Sequence, residues 1–355
     1  RLSKVFSSYP ELFNHCVKVY QKRVDYYRLT SEGQKILQPD TVFHITARAS
    51  IKTDGNEVKT EYYRLHVGGI NDLPSEDALI GELHQFAQYM RQKSMAPPAE
   101  DLYIGPALYE DESAMELFAG KIANYTHSYW LWRQNKSDRK HRYLGKQVFP
   151  SDLSVWQLGN DSVYNGTKLL GYRQVDADGT RPKTLPLIEK GILKNMLTGR
   201  RPTLGCPTST GNEHFYELNR DLKTAYTTGI LHVTSNRPLP LGQLRKRFLK
   251  SAKKAGLKHA YIFRHKRTSP YALIRVDLNT RKEELVEGKC YLPSIEQFRR
   301  IKAVSKEKMA CNLNPTEGRG RGIIAPKAIL LVDTELDITP NHGRHIDETL
   351  YELRH

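Results

Sequence analysis

Cysteine is scarce and scattered. The 355-residue chain has four, Cys16, Cys206, Cys290 and Cys311, with no CxxC pair among them. That excludes a zinc ribbon and a disulfide-stapled scaffold and leaves thiols of a reducing compartment. Long hydrophobic runs are missing as well. The longest near a terminus, 323–332, is interrupted by Pro326 and Lys327, and it falls far short of the ~20 residues needed to span a bilayer. No signal-peptide pattern stands at the start, Arg1, so a cytoplasmic protein is expected, with an exported precursor as the alternative. Acidic residues are absent between Asp221 and Asp277. No serine or cysteine stands in a nucleophile-elbow context, so no catalytic triad is readable. The thirteen histidines are dispersed; His342 and His345 come nearest to a metal-binding pair, yet they lie in a Pro-Asn-His-Gly turn. There is no internal repeat and no low-complexity segment.

What is present fits a soluble α+β protein of about two domains, with enough apolar residues for sizeable cores. Residues 15–67 are strand-like and are punctuated by Glu32-Gly33 and Asp54-Gly55, the second a strong hairpin signal because Asp-Gly tolerates positive φ. Ser75 then caps a helix whose Leu79, Leu83, Phe86 and Met90 form one apolar stripe. Pro97-Pro98 ends it, dividing the chain into 1–98, the remainder of an N-terminal α/β domain with its linker helix, and 99–355. The second part reads as a larger, mostly antiparallel β domain with flanking helices. It holds short strands and turns over 158–212, a helix over 239–255, and strands over 259–263, 271–278 and 284–292. A helix with Pro293 at its first position and Ile295, Phe298 and Ile301 on one face precedes a last strand over 329–336.

The net charge is +16 with a pI near 9.5, which favours polyanionic partners. The helix over 239–255 carries much of it in Arg245, Lys246, Arg247, Lys250, Lys253 and Lys254. A nucleic-acid surface and a merely solvated basic face both fit. Segment 128–142 mixes aromatic and basic side chains, as base stacking beside phosphate contacts does; the end of a packed helix reads the same way. The Ser209-Thr210-Gly211-Asn212 loop is a weak phosphate-cradle pattern, and Gly318-Arg319-Gly320-Arg321-Gly322 is a solvated loop rather than an RGG tract.

Residues 105–122, GPALYEDESAMELFAGKI, are the centre of the chain. An extended apolar segment delivers Glu110, Asp111 and Glu112 to the start of a helix with Ala114, Met115, Phe118, Ala119 and Ile122 inward. Carboxylates there could hold a metal or be its remnant. They could equally complement the partial positive charge of the helix N-terminus.

This stretch, with GYRQVDADGT at 171–180, LIEKGILK at 187–194, the 209–212 loop, EELVEG at 283–288 and Ile324-Ala325-Pro326, resembles the TldD/PmbA family, once called modulators of DNA gyrase and now regarded as metallopeptidases. The resemblance covers most of 100–335 and, more weakly, the sheet and helix before them. Part of the family's N-terminal domain is expected to lie outside the sequence. In the metal-binding branch the helix carries HExxxH, and a cysteine from the far end of the C-terminal domain completes a zinc site. Here the motif reads DESAME. The resemblance puts Asp111 and Glu116 at the histidine positions, Glu112 at the general base, and Cys311 near the cysteine ligand. On a regular helix Asp111 and Glu116 point ~140° apart, whereas Glu112 and Glu116 share a face. Crowded carboxylates would repel and hold protons more tightly. The resemblance therefore implies a zinc-free, inactive or accessory homologue that handles peptides as a homodimer or with a family paralogue. The alternatives are an active hydrolase with an oxygen-rich site for magnesium, calcium or manganese, and a polyanion-binding module.

Overall fold

A computed structural model of the chain describes residues 1–53, 57–99, 102–126, 143–160, 163–200, 206–218, 221–265, 267–269, 272–288, 293–313 and 322–337. The Asp54-Gly55 hairpin tip, segment 128–142, the 318–321 part of the glycine-arginine loop, Cys290, His342 and His345 lie outside the described residues.

Three long strands open the chain: β1 (Leu12–Leu29), β2 (Lys35–Lys52) and β3 (Val58–Val67). They form an antiparallel sheet. Helix α1 (Glu76–Ser94) crosses it, with the Ser75 side chain accepting from the Ala78 amide as anticipated. Leu79, Leu83, Phe86 and Met90 are buried against Phe43, Ile45, Ala47 and Ile51 of β2, and Tyr63 and Leu65 of β3. The helical stripe thus meets the alternating inner face of the strands, each with its own period.

Next come β4 (Leu102–Asp111) and α2 (Glu112–Thr126), followed by β5 (Leu153–Leu158) and the short β6 (Val163–Tyr164) and β7 (Thr167–Lys168). The hairpin of β8 (Leu185–Glu189) and β9 (Ile192–Leu193) turns through Lys190 and Gly191, both at positive φ as such a two-residue turn requires. The strands β10 (Glu213–Leu218), β11 (Asp221–Tyr226) and β12 (Ile230–Ser235) precede α3 (Leu241–Lys254). Then follow β13 (His259–His265), β14 (Thr268–Ser269), β15 (Ala272–Asp277), β16 (Glu283–Val286), α4 (Ile295–Phe298), β17 (Ile301–Val304), β18 (Lys308–Asn312), β19 (Gly322–Pro326) and β20 (Ala328–Asp337).

These strands build two six-stranded sheets, β16-β15-β13-β4-β20-β17 and β18-β19-β12-β5-β8-β9. Pairing is antiparallel except for β13 with β4 and β12 with β19. The α+β expectation holds. Helix α2 lies between the sheets, touching β4 and β13 of one and β18 and β19 of the other. Ala114, Met115, Leu117, Phe118, Ala119 and Ile122 are all buried, a wide apolar face packed between the two sheets. Helix α3 covers the outer face of the first sheet through Leu244, Phe248 and Ala252. Gly256 follows at positive φ, a conformation glycine adopts without strain.

Two expectations need correction. The helix expected from Pro293 shrinks to one turn, Ile295–Phe298, with Ser294 as its cap in a capping box with Gln297, so Pro293 lies outside it; Ile301 belongs to β17. The strand expected over 284–292 ends at Val286, after which Glu287 exchanges backbone hydrogen bonds with Pro97 and Ala99. The 209–212 loop is spent on its own structure. Its Thr210 and Asn212 amides donate to Thr198 and its Gly211 amide to Ser209, which leaves no phosphate cradle there.

Candidate functional site

The end of β4 sits in the middle of its sheet, with β13 on one side and β20 on the other. The register sets Arg264 beside Glu110 and His265 beside Asp111 on β13, and Ala328 beside Glu110 on β20. Neighbouring strands therefore decide what the three acidic residues meet, and each meets something different.

Glu110 points to the outer face. It is buried, and both its oxygens are taken by arginines: Arg245 of α3 at 2.7 and 2.8 Å, and Arg264 at 2.8 and 2.9 Å. Glu283 shares both guanidinium groups at the exposed rim. Asp111 does not start the helix, as the helical geometry had assumed. It ends the strand with φ 57°, a left-handed conformation that Asp tolerates better than most residues. Its carboxylate lies 3.2 Å from the Lys327 ammonium, away from Glu116.

Glu112 opens α2 and turns inward. One oxygen accepts the Arg267 amide at 2.6 Å, and His265 Nδ1 lies 3.8 Å from it. Glu116, one turn on, reaches His265 Nε2 at 3.3 Å, so the shared face of Glu112 and Glu116 is real and His265 bridges it. Burial pushes the Glu112 carboxyl up, against the opposing pull of His265 and of the Arg267 amide. Cys311 of β18 is buried near this pair. Burial drives its thiol well above the ordinary range, and the charges of Glu112 and Glu116 push the same way. Cys16 and Cys206 are free as well.

Of the positions the resemblance singled out, Glu112, Glu116 and Cys311 come together and Asp111 does not. Asp111 escapes the expected crowding at Lys327, whereas Glu112 and Glu116 stay close enough that Glu116 adds to the upward push on Glu112. Sequence reasoning missed His265 and Arg267. Their signal was the run of basic residues after an apolar strand, in the stretch without acids. Arg245, Arg264 and Arg267 turn inward from that stretch, so part of its charge is spent inside the protein.

Arg267 occupies a key position. At φ 55° its amide faces Glu112, its carbonyl accepts from Arg64 of β3 at 2.7 Å, and its guanidinium binds Glu82 of α1. Tyr63 donates to the same Glu82 at 2.5 Å. This turn ties α2 to the front sheet, where β14 adds as a fourth strand beside β3. A cavity of about 190 Å³ lies between them, walled on one side by Asp111, Arg264, His265 and Arg267.

The residues present do not fit the family's zinc centre. Among the described residues no group of three or more His, Cys, Asp or Glu side chains is placed to hold a metal ion. The first ligand position faces a lysine, and an arginine amide occupies a Glu112 oxygen. Zinc sites of this type need neutral imidazole and thiolate donors with one open position.

Residues 106–231 match the family model of the PmbA/TldA metallopeptidase C-terminal domain. Among solved structures, a proposed modulator of a DNA gyrase from Thermotoga maritima aligns with a TM-score of 0.65 at 13% identity, over 94% of this chain and 72% of that one. A proposed modulator of DNA gyrase from Bacteroides thetaiotaomicron aligns at 0.63 and 14%, over 95% and 70%. TldE from Thermococcus kodakarensis gives 0.56 and 12%, over 94% and 72%. No curated protein matches the sequence. Among the described residues no helix is long and apolar enough to cross a membrane. The match over 106–231 and a fold shared along nearly the whole length make this chain similar to the PmbA/TldA metallopeptidase C-terminal domain and to the solved structures of gyrase-modulator and TldE type.

Proposed function

We propose that this chain is an accessory, zinc-free homologue of the TldD/PmbA metallopeptidases, which holds peptide without cleaving it, as a homodimer or beside a family paralogue. The observation that carries the reading is that the three acids at the strand-to-helix junction separate, which takes Asp111 away from Glu112 and Glu116 of DESAME. Glu110, Asp111 and Glu112 diverge to Arg245 with Arg264, to Lys327, and to the Arg267 amide with His265. A dication would compete with charges the protein already supplies, and removing ordered internal partners from a buried carboxylate is costly. Glu112 keeps the general-base position, but one of its oxygens is taken by the Arg267 amide, and among the described residues no convergent donor set would hold a metal-bound water beside it.

Elemental analysis of the purified protein, dialysed without chelator or added metal, is expected to find no tightly bound metal. Stoichiometric zinc would mean that Cys311, His265 and other ligands rebuild the family site. Stoichiometric manganese, calcium or magnesium would favour the oxygen-rich hydrolase. Hydrolysis of unfolded peptides that Glu112→Gln abolishes would overturn the inactive reading under either metal.

A second reading has its own observation. Lys246, Arg247, Lys250, Lys253 and Lys254 are all exposed on α3 while Arg245 turns inward. If this face binds nucleic acid, affinity for duplex DNA falls steeply as salt is raised; binding that is undetectable or indifferent to salt removes the idea.

A further inference from the structure

We infer that the cavity between α1 and the end of β4 is a pocket for one uncharged apolar side chain, leucine- or phenylalanine-sized, of a bound peptide; this rests on the peptide-handling reading above. Three observations carry it. The first is charge. Every described ionic group on the wall is answered from within the protein: Glu82 by Arg267, Arg264 by Glu110 and Glu283, Asp111 by Lys327. A charged occupant would gain no net field and would lose its hydration, so the pocket selects against it. The second is surface. Tyr63, Phe86, Tyr89 and Ala272 supply aromatic rings and a methyl to the lining, which fits an apolar guest.

The third is size and place. At about 190 Å³ the cavity is below the ~300 Å³ at which sites for whole drug-sized ligands begin, so it suits a side chain rather than a complete cofactor. Asp111 and His265 are part of its wall, and His265 also touches Glu112 and Glu116. A peptide with its side chain in this pocket runs beside the positions that cut peptides in the catalytic branch. Tyr63, Glu82 and Phe86 of the front part and Asp111, His265 and Arg267 of the rest both contribute to the wall, so the pocket needs the two parts packed together.

The test uses the intact chain and fluorescent hexapeptides of glycine, alanine and asparagine with one variable residue: Leu, Phe, Gly, Asp or Lys. Binding is read by polarisation, beside N-acetyl-phenylalaninamide as a single-residue probe. Leu and Phe peptides are expected to bind about 10- to 100-fold more tightly than the Gly, Asp and Lys peptides, the range that burying one such side chain provides. Ala272→Phe, which fills the cavity, should erase that preference. Gln85→Trp, introduced at an exposed rim position, should do the same without touching the interior, and thermal melts show that each variant is folded. If peptides bind with no preference for the variable residue and neither variant changes it, the pocket is wrong and peptide handling survives. If N-acetyl-phenylalaninamide alone binds, and Ala272→Phe removes it, the apolar site stands as a small-molecule site while the peptide occupant and the peptide-handling reading fall. If nothing binds, both fall.

Discussion

Replacing Glu110 by alanine is expected to destabilise the fold by about 3–5 kcal/mol, the usual cost of removing one partner from a buried ion pair. Glu110 is 3% exposed and accepts four hydrogen bonds from Arg245 and Arg264. Without it two guanidinium groups face each other across the outer side of β4, with only Glu283 at the rim to answer them, at 3.3 to 3.5 Å. Arginine keeps its charge at any working pH, so the pair cannot escape by losing protons. Glu110→Gln retains the shape and should lose somewhat less, because hydrogen bonds to a charged acceptor exceed those to a neutral one. Urea unfolding of both variants measures the effect. A loss below about 1 kcal/mol would show the group behaving as an exposed surface pair, with Glu283 replacing Glu110.

Phe118→Ala should cost about as much, some 3–5 kcal/mol, as expected when a large aromatic is removed from a core that cannot collapse. Phe118 is fully buried on α2. Its ring meets Phe298 edge-on at 5.7 Å, and Phe298 meets Phe149 at 5.1 Å. The helix is held by sheets on both sides, so neither can move in to fill the space without breaking its own ladder. Phe118→Leu keeps part of the volume and should lose much less. A loss under about 1 kcal/mol for the alanine variant would mean that the surroundings relax into the cavity. The central place of α2 would then be wrong.

Much of this architecture was legible in the chain. Ser75 and the Leu79, Leu83, Phe86, Met90 stripe specify α1 through short-range chemistry, a cap and a helical period. Lys190-Gly191 marks its hairpin because few residue pairs accept two positive φ angles. The change from apolar strand to DESAME helix at 111–112 was equally visible, since Ala114, Met115, Phe118, Ala119 and Ile122 mark one apolar helical face. The one-turn α4 was overextended because Phe298 and Ile301 share a helical spacing that fits a helix end followed by a strand just as well.

The direction of each acidic side chain was not legible. Sequence put Glu110, Asp111 and Glu112 in one cluster, and helical geometry carried Asp111 onto the helix. A single left-handed residue at Asp111 sends three neighbouring carboxylates to three places. Their partners come from far away in sequence: Arg245, Arg264, Arg267 and Lys327 are 135 or more positions distant, and β-sheet register brings them together. The same applies to the acid-free stretch, whose excess charge looked wholly external.

By itself, then, the sequence determined most of the elements, the family resemblance and the DESAME reading where that family's metal-binding branch has HExxxH, because caps, periods and motif residues act locally. Only the tertiary structure decided that Asp111 turns to Lys327 while Glu112 and Glu116 share His265, that Cys311 lies beside Glu112 and Glu116, and that a cavity adjoins them. Those are outcomes of strand order and sheet packing, and no local pattern encodes which distant charge a buried carboxylate will meet.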